Sequence, residues 1–185
     1  MSNLTKKAVR GVFIVFFFSI IGSLFGYASR VFLANKLSVA DFGLFFAVFA
    51  LVQYLEFFRS LGLSTAIVKF TAEYKALMKF DMLKTILYVA IGIILSTSLI
   101  IVFILIVSSN YLAVNYFKTS KALPIILVLS AWFFIRGVQD TIFVIFYGFQ
   151  KIFLYCLREL RSVFYLIILV ILFIFNSDVL FYSLV

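Results

Sequence analysis

Charged side chains inside long apolar runs are the residues of this sequence whose types and spacing could do chemistry. Glu56 and Arg59 are three residues apart, and Arg136 and Asp140 are four apart, so each pair occupies one face of a helix. A charge at the centre of a membrane helix costs about 2.5–3.5 kcal/mol on insertion scales, and such residues usually face a protein interior or a watery cavity. We therefore expect these charges to line a hydrophilic cavity within the membrane.

Two predicted helices carry these charges on polar stripes. At about 100° per residue, seven polar or aromatic residues of one helix share an arc of about 100°: Trp132, Arg136, Gln139, Asp140, Phe143, Tyr147 and Gln150. On the other helix, Gln53, Glu56 and Arg59 recur at three-residue spacing. Arg30 ends a further apolar run, where it points into a cavity or reaches the membrane surface. The alternative for each stripe is a self-neutralised ion pair that only locks one helix to its neighbour.

The composition places these residues in lipid. Of the 185 residues, 66% are hydrophobic and 12% are charged, against roughly 45–50% and 25% in soluble domains. The chain has no histidine and one cysteine, Cys156, which excludes imidazole chemistry and an intrachain disulfide. The net charge of +9 lies mostly at the flanks of apolar runs, so no nucleic-acid partner is predicted. An integral protein that crosses the cell membrane several times is expected.

The apolar runs predict an all-α, multi-pass transmembrane helical bundle. About 20 apolar residues cross a bilayer, and runs of this kind give five spans, at residues 11–34, 42–68, 85–107, 122–149 and 160–175. Ser108, Ser109 and Asn110 are expected to turn at the surface after the third span. Residues 179–185 begin a sixth apolar segment that is too short to cross. We expect residues 1–185 to form a single membrane domain that is an incomplete part of a longer protein.

The distribution of cations predicts the orientation, because Lys and Arg are retained on the cytoplasmic side. With a cytoplasmic N-terminus, the inner segments hold ten cations, which are Lys6, Lys7, Arg10, Lys69, Lys75, Lys79, Lys84, Lys151, Arg158 and Arg161. The outer segments hold four, which are Arg30, Lys36, Lys118 and Lys121. A cytoplasmic N-terminus is therefore predicted. The alternative is a cleaved signal peptide over residues 1–28, which the length of the first apolar run and the spans that follow it disfavour.

The segment after the first span resembles a known family. Its motifs are Arg30, Leu37-Ser38-x-x-Asp41-Phe42-Gly43, Leu61-Gly62-Leu63-x-x-Ala66 and Ala72-Glu73-Tyr74. This pattern resembles the N-terminal signature of the polysaccharide biosynthesis flippases of the O-antigen and teichoic acid type, within the multidrug/oligosaccharidyl-lipid/polysaccharide exporter superfamily. It covers about residues 25–75, and Val39 stands where proline is common.

The resemblance implies two pseudo-symmetric helical bundles around a cationic cavity. This chain would supply most of the first bundle, so a missing C-terminal half or a second subunit is an expected partner. The family's activity would be alternating-access flipping of a lipid-linked oligosaccharide, with the diphosphate in the cavity and the polyprenyl tail in membrane lipid. The residues expected to take part are Arg30, Arg59 and Arg136 as substrate ligands, Glu56 and Asp140 as charge partners or ion-coupling groups, and Gln53, Gln139 and Tyr147 as cavity lining.

No catalytic residue, metal or cofactor is predicted. The phosphate-binding loop, the nucleophile elbow and the paired-cysteine motif are absent from the sequence, and the seven carboxylates are scattered over different segments. The expected protein is therefore a transporter and not an enzyme. Two alternatives stay open, a membrane scaffold in which the same charges only pair helices, and a membrane transferase that uses Asp140 or Glu56.

Overall fold

The computed structural model describes residues 3–60 and 62–175, and these ranges contain helices and no β-strand. Seven α-helices follow one another: α1 (Asn3–Lys36), α2 (Val39–Ser60), α3 (Leu63–Ala76), α4 (Phe80–Tyr111), α5 (Ala122–Gly148), α6 (Ile152–Cys156) and α7 (Arg161–Phe175). A π-helical turn over Leu112–Tyr116 extends α4, and a 3-10 turn over Leu157–Leu160 joins α6 to α7. The predicted all-α class is confirmed for these residues.

Four stretches of the described chain are long and apolar enough to cross a membrane: Val9–Lys36, Val39–Ser60, Phe80–Tyr116 and Ala122–Gly148. They contain most of the first four predicted spans. Helix α7 corresponds to the predicted fifth span, but its 15 described residues are fewer than the 20 or so that a crossing helix needs. The predicted partial sixth segment at residues 179–185 lies outside the described residues.

The predicted second span, residues 42–68, is wrong after Ser60. Helix α2 ends at Ser60, and α3 begins at Leu63 as a separate helix. Between them Gly62 has a φ of +78°, a left-handed conformation that glycine adopts without the steric cost of a Cβ. The continuous α2 helix therefore ends one residue after Arg59.

The predicted surface turn at residues 108–110 is also wrong, because α4 continues through these residues to Tyr111. The Ser108 and Ser109 hydroxyls donate to backbone carbonyls about one turn earlier, at 2.6 and 2.7 Å. Short polar side chains that bond to their own helix in this way remain compatible with a long apolar helix.

The connection between α1 and α2 is closed by a reciprocal hydrogen bond. Ser38 precedes α2, where its hydroxyl donates to Asp41 Oδ2 at 2.6 Å and accepts from the Asp41 N–H at 3.1 Å. This arrangement satisfies one of the free backbone donors at a helix start. Asp41 Oδ1 also lies 3.7 Å from Lys121 Nζ, directly before α5. The Leu37-Ser38-x-x-Asp41 motif thus acts as a helix cap that contacts the beginning of α5.

Helix α5 is central to the packing, since it contacts α2, α3, α4 and α6. Its first half contributes to an apolar core formed by Val48, Val52, Leu105, Ala113, Ala122, Ile126, Leu129 and Phe133. Helix α1 contacts α2 little and packs mainly on α6 and α7. The charged residues of α5, Arg136 and Asp140, come after Phe133, where Arg161 at the start of α7 reaches Asp140.

Candidate functional site

Five charged residues from three helices form one network, here named the charge cluster: Glu56 and Arg59 of α2, Arg136 and Asp140 of α5, and Arg161 of α7. Both predicted in-helix pairs are present, with Arg59 Nη2 2.9 Å from Glu56 Oε1 and Arg136 Nε 3.4 Å from Asp140 Oδ2. Each arginine also lies near the carboxylate of the other helix. Arg136 Nε is 3.5 Å from Glu56 Oε1, and Arg59 Nη2 is 3.6 Å from Asp140 Oδ2. The two local pairs therefore form one network between helices.

Asp140 is the carboxylate that most arginines share. Arg161 Nη1 donates to Asp140 Oδ1 at 2.9 Å, while Arg59 and Arg136 face Oδ2. Only 20% of the Asp140 side-chain surface is exposed. Because charged hydrogen bonds strengthen as water is excluded, this carboxylate holds α2, α5 and α7 in a fixed relation.

Arg59 is the most enclosed charge of the cluster, with 5% of its surface exposed. Its Nη1 donates to the Phe133 carbonyl at 3.2 Å, and its guanidinium lies 4.9 Å from the centre of the Phe133 ring. Gly137 makes room for it, since a Cβ there would lie 3.0 Å from Arg59 Nη1. A small residue on α5 and an aromatic residue one turn before it thus shape the space in which Arg59 lies.

Arg136 is bounded by an amide and an aromatic ring. In the orientation that satisfies both neighbours, the Gln53 amide oxygen accepts from Arg136 Nη1 at 2.8 Å and its nitrogen donates to Glu56 Oε2 at 2.6 Å. The guanidinium lies 4.8 Å from the centre of the Trp132 ring, and Trp132 Nε1 donates to the Tyr165 hydroxyl at 2.8 Å. Arg136 Nε is buried near two carboxylates but makes no hydrogen bond. One donor of the charge cluster therefore has no hydrogen-bond acceptor within the described residues.

Two cavities border the charge cluster. The larger measures about 580 Å³ and is lined in part by Glu56, Arg59, Lys69, Asp140 and Tyr147. The smaller measures about 210 Å³ and is lined in part by Phe49, Trp132, Arg136, Arg161 and Tyr165. Arg158 borders both. The charges of α2, α5 and α7 are thus accessible from two differently lined spaces.

The structure brings together most of the residues singled out from the sequence. Gln53 contacts the charge cluster, and Tyr147 lines the larger cavity. Gln139 is half-buried and lines neither of these two cavities. Arg30 is exposed and lies 6.0 Å from the centre of the Phe46 ring, away from both cavity linings. Its contact with a substrate stays a prediction.

Arg158 and Arg161 are site residues that the sequence reasoning missed, because the positive-inside rule counts them only as loop cations. The 3-10 turn and the start of α7 bring both to the cavities. Arg158 donates to Glu159 Oε1 through Nε and Nη2, at 3.2 and 3.0 Å, and lies 4.7 Å from the centre of the Tyr155 ring. The available signal was their i, i+3 spacing directly before an apolar run, which places both on one helical face.

The charges of this region do not balance. Around the two cavities, four guanidinium groups, those of Arg59, Arg136, Arg158 and Arg161, meet the three carboxylates of Glu56, Asp140 and Glu159. The excess is one positive charge, to which Lys69 adds another at the larger cavity. Within the described ranges, no three His, Cys, Asp or Glu residues come together in a way that could hold a metal ion. The chemistry of the site favours an anion.

Comparison with known proteins places the chain in a family. The model of a family described as polysaccharide biosynthesis protein matches residues 8–185. An uncharacterized membrane protein of Methanocaldococcus jannaschii is 27% identical over 155 residues, which covers 78% of this chain and 30% of the relative. The chain therefore spans less than a third of the length of that relative. No solved structure matches the chain. Because the family model covers nearly all of the sequence, this chain is a multi-pass membrane protein that belongs to the polysaccharide biosynthesis protein family.

Proposed function

We propose that this chain is part of a transporter that flips lipid-linked glycan precursors across the cell membrane by alternating access. Membership of the polysaccharide biosynthesis protein family supports the substrate class. The observation that carries the proposal is the excess positive charge around a cavity of about 580 Å³, which the ends of two helices of membrane-spanning length, α2 and α5, line together with the shorter α3 and α6. Such a cavity suits the anionic part of a lipid whose tail remains in the bilayer.

The arginines account for recognition of a diphosphate. A guanidinium keeps its charge at any accessible pH and presents several donors in a planar fork, which matches phosphate oxygens. Arg59 and Arg158 line the larger cavity, and Arg136 joins them through the shared carboxylates. A bound diphosphate would supply the negative charge that the site lacks, which makes binding favourable in a low-dielectric environment.

The shared carboxylates account for release and movement. Glu56 and Asp140 each face more than one arginine, so a substrate phosphate can replace one ion pair while the carboxylate keeps another. Arg161 connects this exchange to α7, which packs mainly on α1. Binding would in this way favour one arrangement of the helices over another, as alternating access requires. No covalent step is involved, so no catalytic residue is needed.

The test is a flipping assay in reconstituted vesicles with a lipid-linked diphosphate oligosaccharide. The protein is used with the second helical bundle that the family implies, in one chain or in two. Arg59→Ala and Arg136→Ala are expected to reduce flipping about tenfold or more, because a hydrogen bond to a charged group contributes about 1.5–3 kcal/mol. Arg30→Ala tests the remaining predicted ligand, and flipping is compared at equal amounts of folded protein.

Lys84→Ala is the matched control, since Lys84 is an exposed cation near the start of α4 and lines neither cavity. It should flip substrate like the parent. Arg→Lys variants then separate point charge from the guanidinium fork, because lysine keeps the charge but cannot bind bidentately. Unchanged flipping in all three Ala variants would sink the arginine mechanism.

A non-transporting scaffold is the second candidate, and one observation favours it. Arg59, Arg136 and Arg161 each already lie within ion-pair distance of a carboxylate of this chain. On this reading the charge cluster only locks α2, α5 and α7 together, so the same variants lower stability and leave substrate movement unaffected. No observation in the described residues favours a transferase.

A further inference from the structure

The smaller cavity is lined by three aromatic residues, whereas the larger one is lined by two, Tyr147 and Tyr155. Phe49, Trp132 and Tyr165 line the smaller cavity beside the guanidinium groups of Arg136 and Arg161. The Phe49 and Trp132 ring centres are 5.5 Å apart, and the hydrogen bond from Trp132 Nε1 to Tyr165 joins α5 to α7. The aromatic wall is therefore held by contacts among three helices, α2, α5 and α7.

We propose that this smaller cavity binds a single carboxylate-bearing sugar ring, such as a uronic acid residue of the transported glycan. The inference rests on the proposed function, because it names one part of the substrate. It assigns a sugar site next to the diphosphate cavity, with Arg158 reaching both.

The aromatic lining fits a sugar ring. A pyranose presents an apolar C–H surface that packs on aromatic rings, while its hydroxyl groups at the edge bond with charged and polar side chains. Glu159 and Ser162 supply such groups on the same lining. The volume of about 210 Å³ corresponds to about seven waters, which is room for one ring with its substituents.

The charge fits a monoanion. Three guanidinium groups line the smaller cavity, those of Arg136, Arg158 and Arg161, against the single carboxylate of Glu159. Asp140, outside this lining, lies within ion-pair distance of Arg136 and Arg161, so these three guanidinium groups and the two carboxylates of Glu159 and Asp140 keep one excess positive charge at the smaller cavity. Arg136 Nε is also the buried donor that makes no hydrogen bond. A single sugar carboxylate would neutralise this excess.

The chain carries its own reporter for the test, because Trp132 is its only tryptophan and lines the smaller cavity. Tryptophan fluorescence of the 185-residue chain is titrated in a sugar-free zwitterionic detergent with glucuronate, glucose or acetate. We expect a saturable change with glucuronate, and an affinity at least about tenfold lower for glucose and for acetate, which lack the charge or the ring.

Two variants change the local charge in opposite directions. Arg158→Gln should weaken glucuronate binding about tenfold, because it removes the excess positive charge. Glu159→Gln should strengthen it, because it removes the competing carboxylate of the lining. Lys84→Gln is the control, because it removes one positive charge as Arg158→Gln does, but at an exposed residue that does not line the cavity. It should bind glucuronate like the parent. Helical circular dichroism confirms that each variant is folded.

Several outcomes would overturn the inference. An equal response to acetate shows a general anion site, an equal response to glucose shows that charge plays no part, and no response to glucuronate shows that no sugar binds. Weaker binding in Glu159→Gln contradicts the charge argument. The failure of this inference can be told apart from the failure of the proposed function. If glucuronate binds but the Arg59→Ala and Arg136→Ala variants flip substrate like the parent, the diphosphate mechanism is refuted and the sugar site remains supported.

Discussion

The two halves of α5 meet the same neighbour, α2, with opposite chemistry. In the first half, Ile126 is fully buried in the apolar core together with Val52 of α2. In the second half, Arg136 and Asp140 meet Glu56 and other charges of α2. Both cavities border the second half. One pair of helices thus provides close apolar packing at one end and a polar site at the other.

The difference reflects what stabilises contacts in lipid. Apolar helix surfaces gain little from leaving lipid for protein, so the apolar core depends on complementary shape and van der Waals contact. Long charged side chains instead need partners at defined distances. Phe133 marks the boundary, because its side chain is 1% exposed in the apolar core and its carbonyl accepts the hydrogen bond from Arg59.

The largest expected effect concerns which end of α5 faces the cytoplasm. A cytoplasmic N-terminus places the end of α5 that carries the charge cluster on the inner side, and the apolar core on the outer side. In intact cells, Lys118→Cys should therefore react with an impermeant thiol reagent, while Lys79→Cys should react only after the membrane is permeabilised. The measurement is labelling of each variant before and after permeabilisation.

The native cysteine does not interfere with this experiment. Cys156 is 2% exposed, and burial, followed by the nearby Glu159, raises the pKa of its thiol, which lowers the fraction of reactive thiolate. The parent chain should accordingly stay unlabelled. Labelling of Lys79→Cys but not Lys118→Cys in intact cells would invert the orientation and place the charge cluster in the outer half.

The next largest effect is expected from Asp140→Ala. This variant removes the carboxylate that three arginines share, and should lower the free energy of unfolding by about 3 kcal/mol. That value is the low end for breaking a buried ion pair, which we expect because the Asp140 side chain is still partly exposed. Denaturant unfolding in mixed micelles, followed by helical circular dichroism, measures the loss.

Two further variants sharpen the contrast between the halves of α5. Asp140→Asn keeps the shape of the side chain and should lose most of the same free energy, since the charge is what the arginines need. Ile126→Ala in the apolar core should cost about 2 kcal/mol through lost packing, with flipping per folded molecule unchanged. If Asp140→Ala unfolds like the parent, the ion pairs do not stabilise the helix arrangement.

The smallest effect is expected at Gly62, which lies next to the polar end of α2. Gly62→Ala should lower the free energy of unfolding by about 1 kcal/mol, because a Cβ is unfavourable at a left-handed φ. No atom lies within 4 Å of the added methyl, so the cost is one of backbone conformation alone. The same unfolding measurement applies.

Gly92→Ala is the matched control, because Gly92 lies within α4 and its Cβ position is equally free of contacts. In a helix interior, alanine is favoured over glycine by up to about 1 kcal/mol, so this variant should be neutral or stabilising. Equal effects at both glycines would show that the end of α2 does not depend on the left-handed residue.

The sequence by itself determined the helices and their internal charge pairs. Mean hydropathy and helical spacing are local properties, so the long apolar runs and the pairing of Glu56 with Arg59 follow from residue order alone. The predicted second span ran past the end of α2 at Ser60, because apolar residues continue on both sides of Gly62. The continuation of α4 through Ser108 and Ser109 depended on how their hydroxyls bond, which hydropathy does not report.

Only the tertiary structure decided which charges meet. Arg161 reaches Asp140 across 21 residues of sequence, and the Arg59 guanidinium bonds to the carbonyl of Phe133, 74 residues away. Arg30 has the same chemistry as these residues but lines neither cavity. The rotation of each helix about its axis and its depth in the membrane bring particular faces together, and both depend on packing between distant segments that no local pattern encodes.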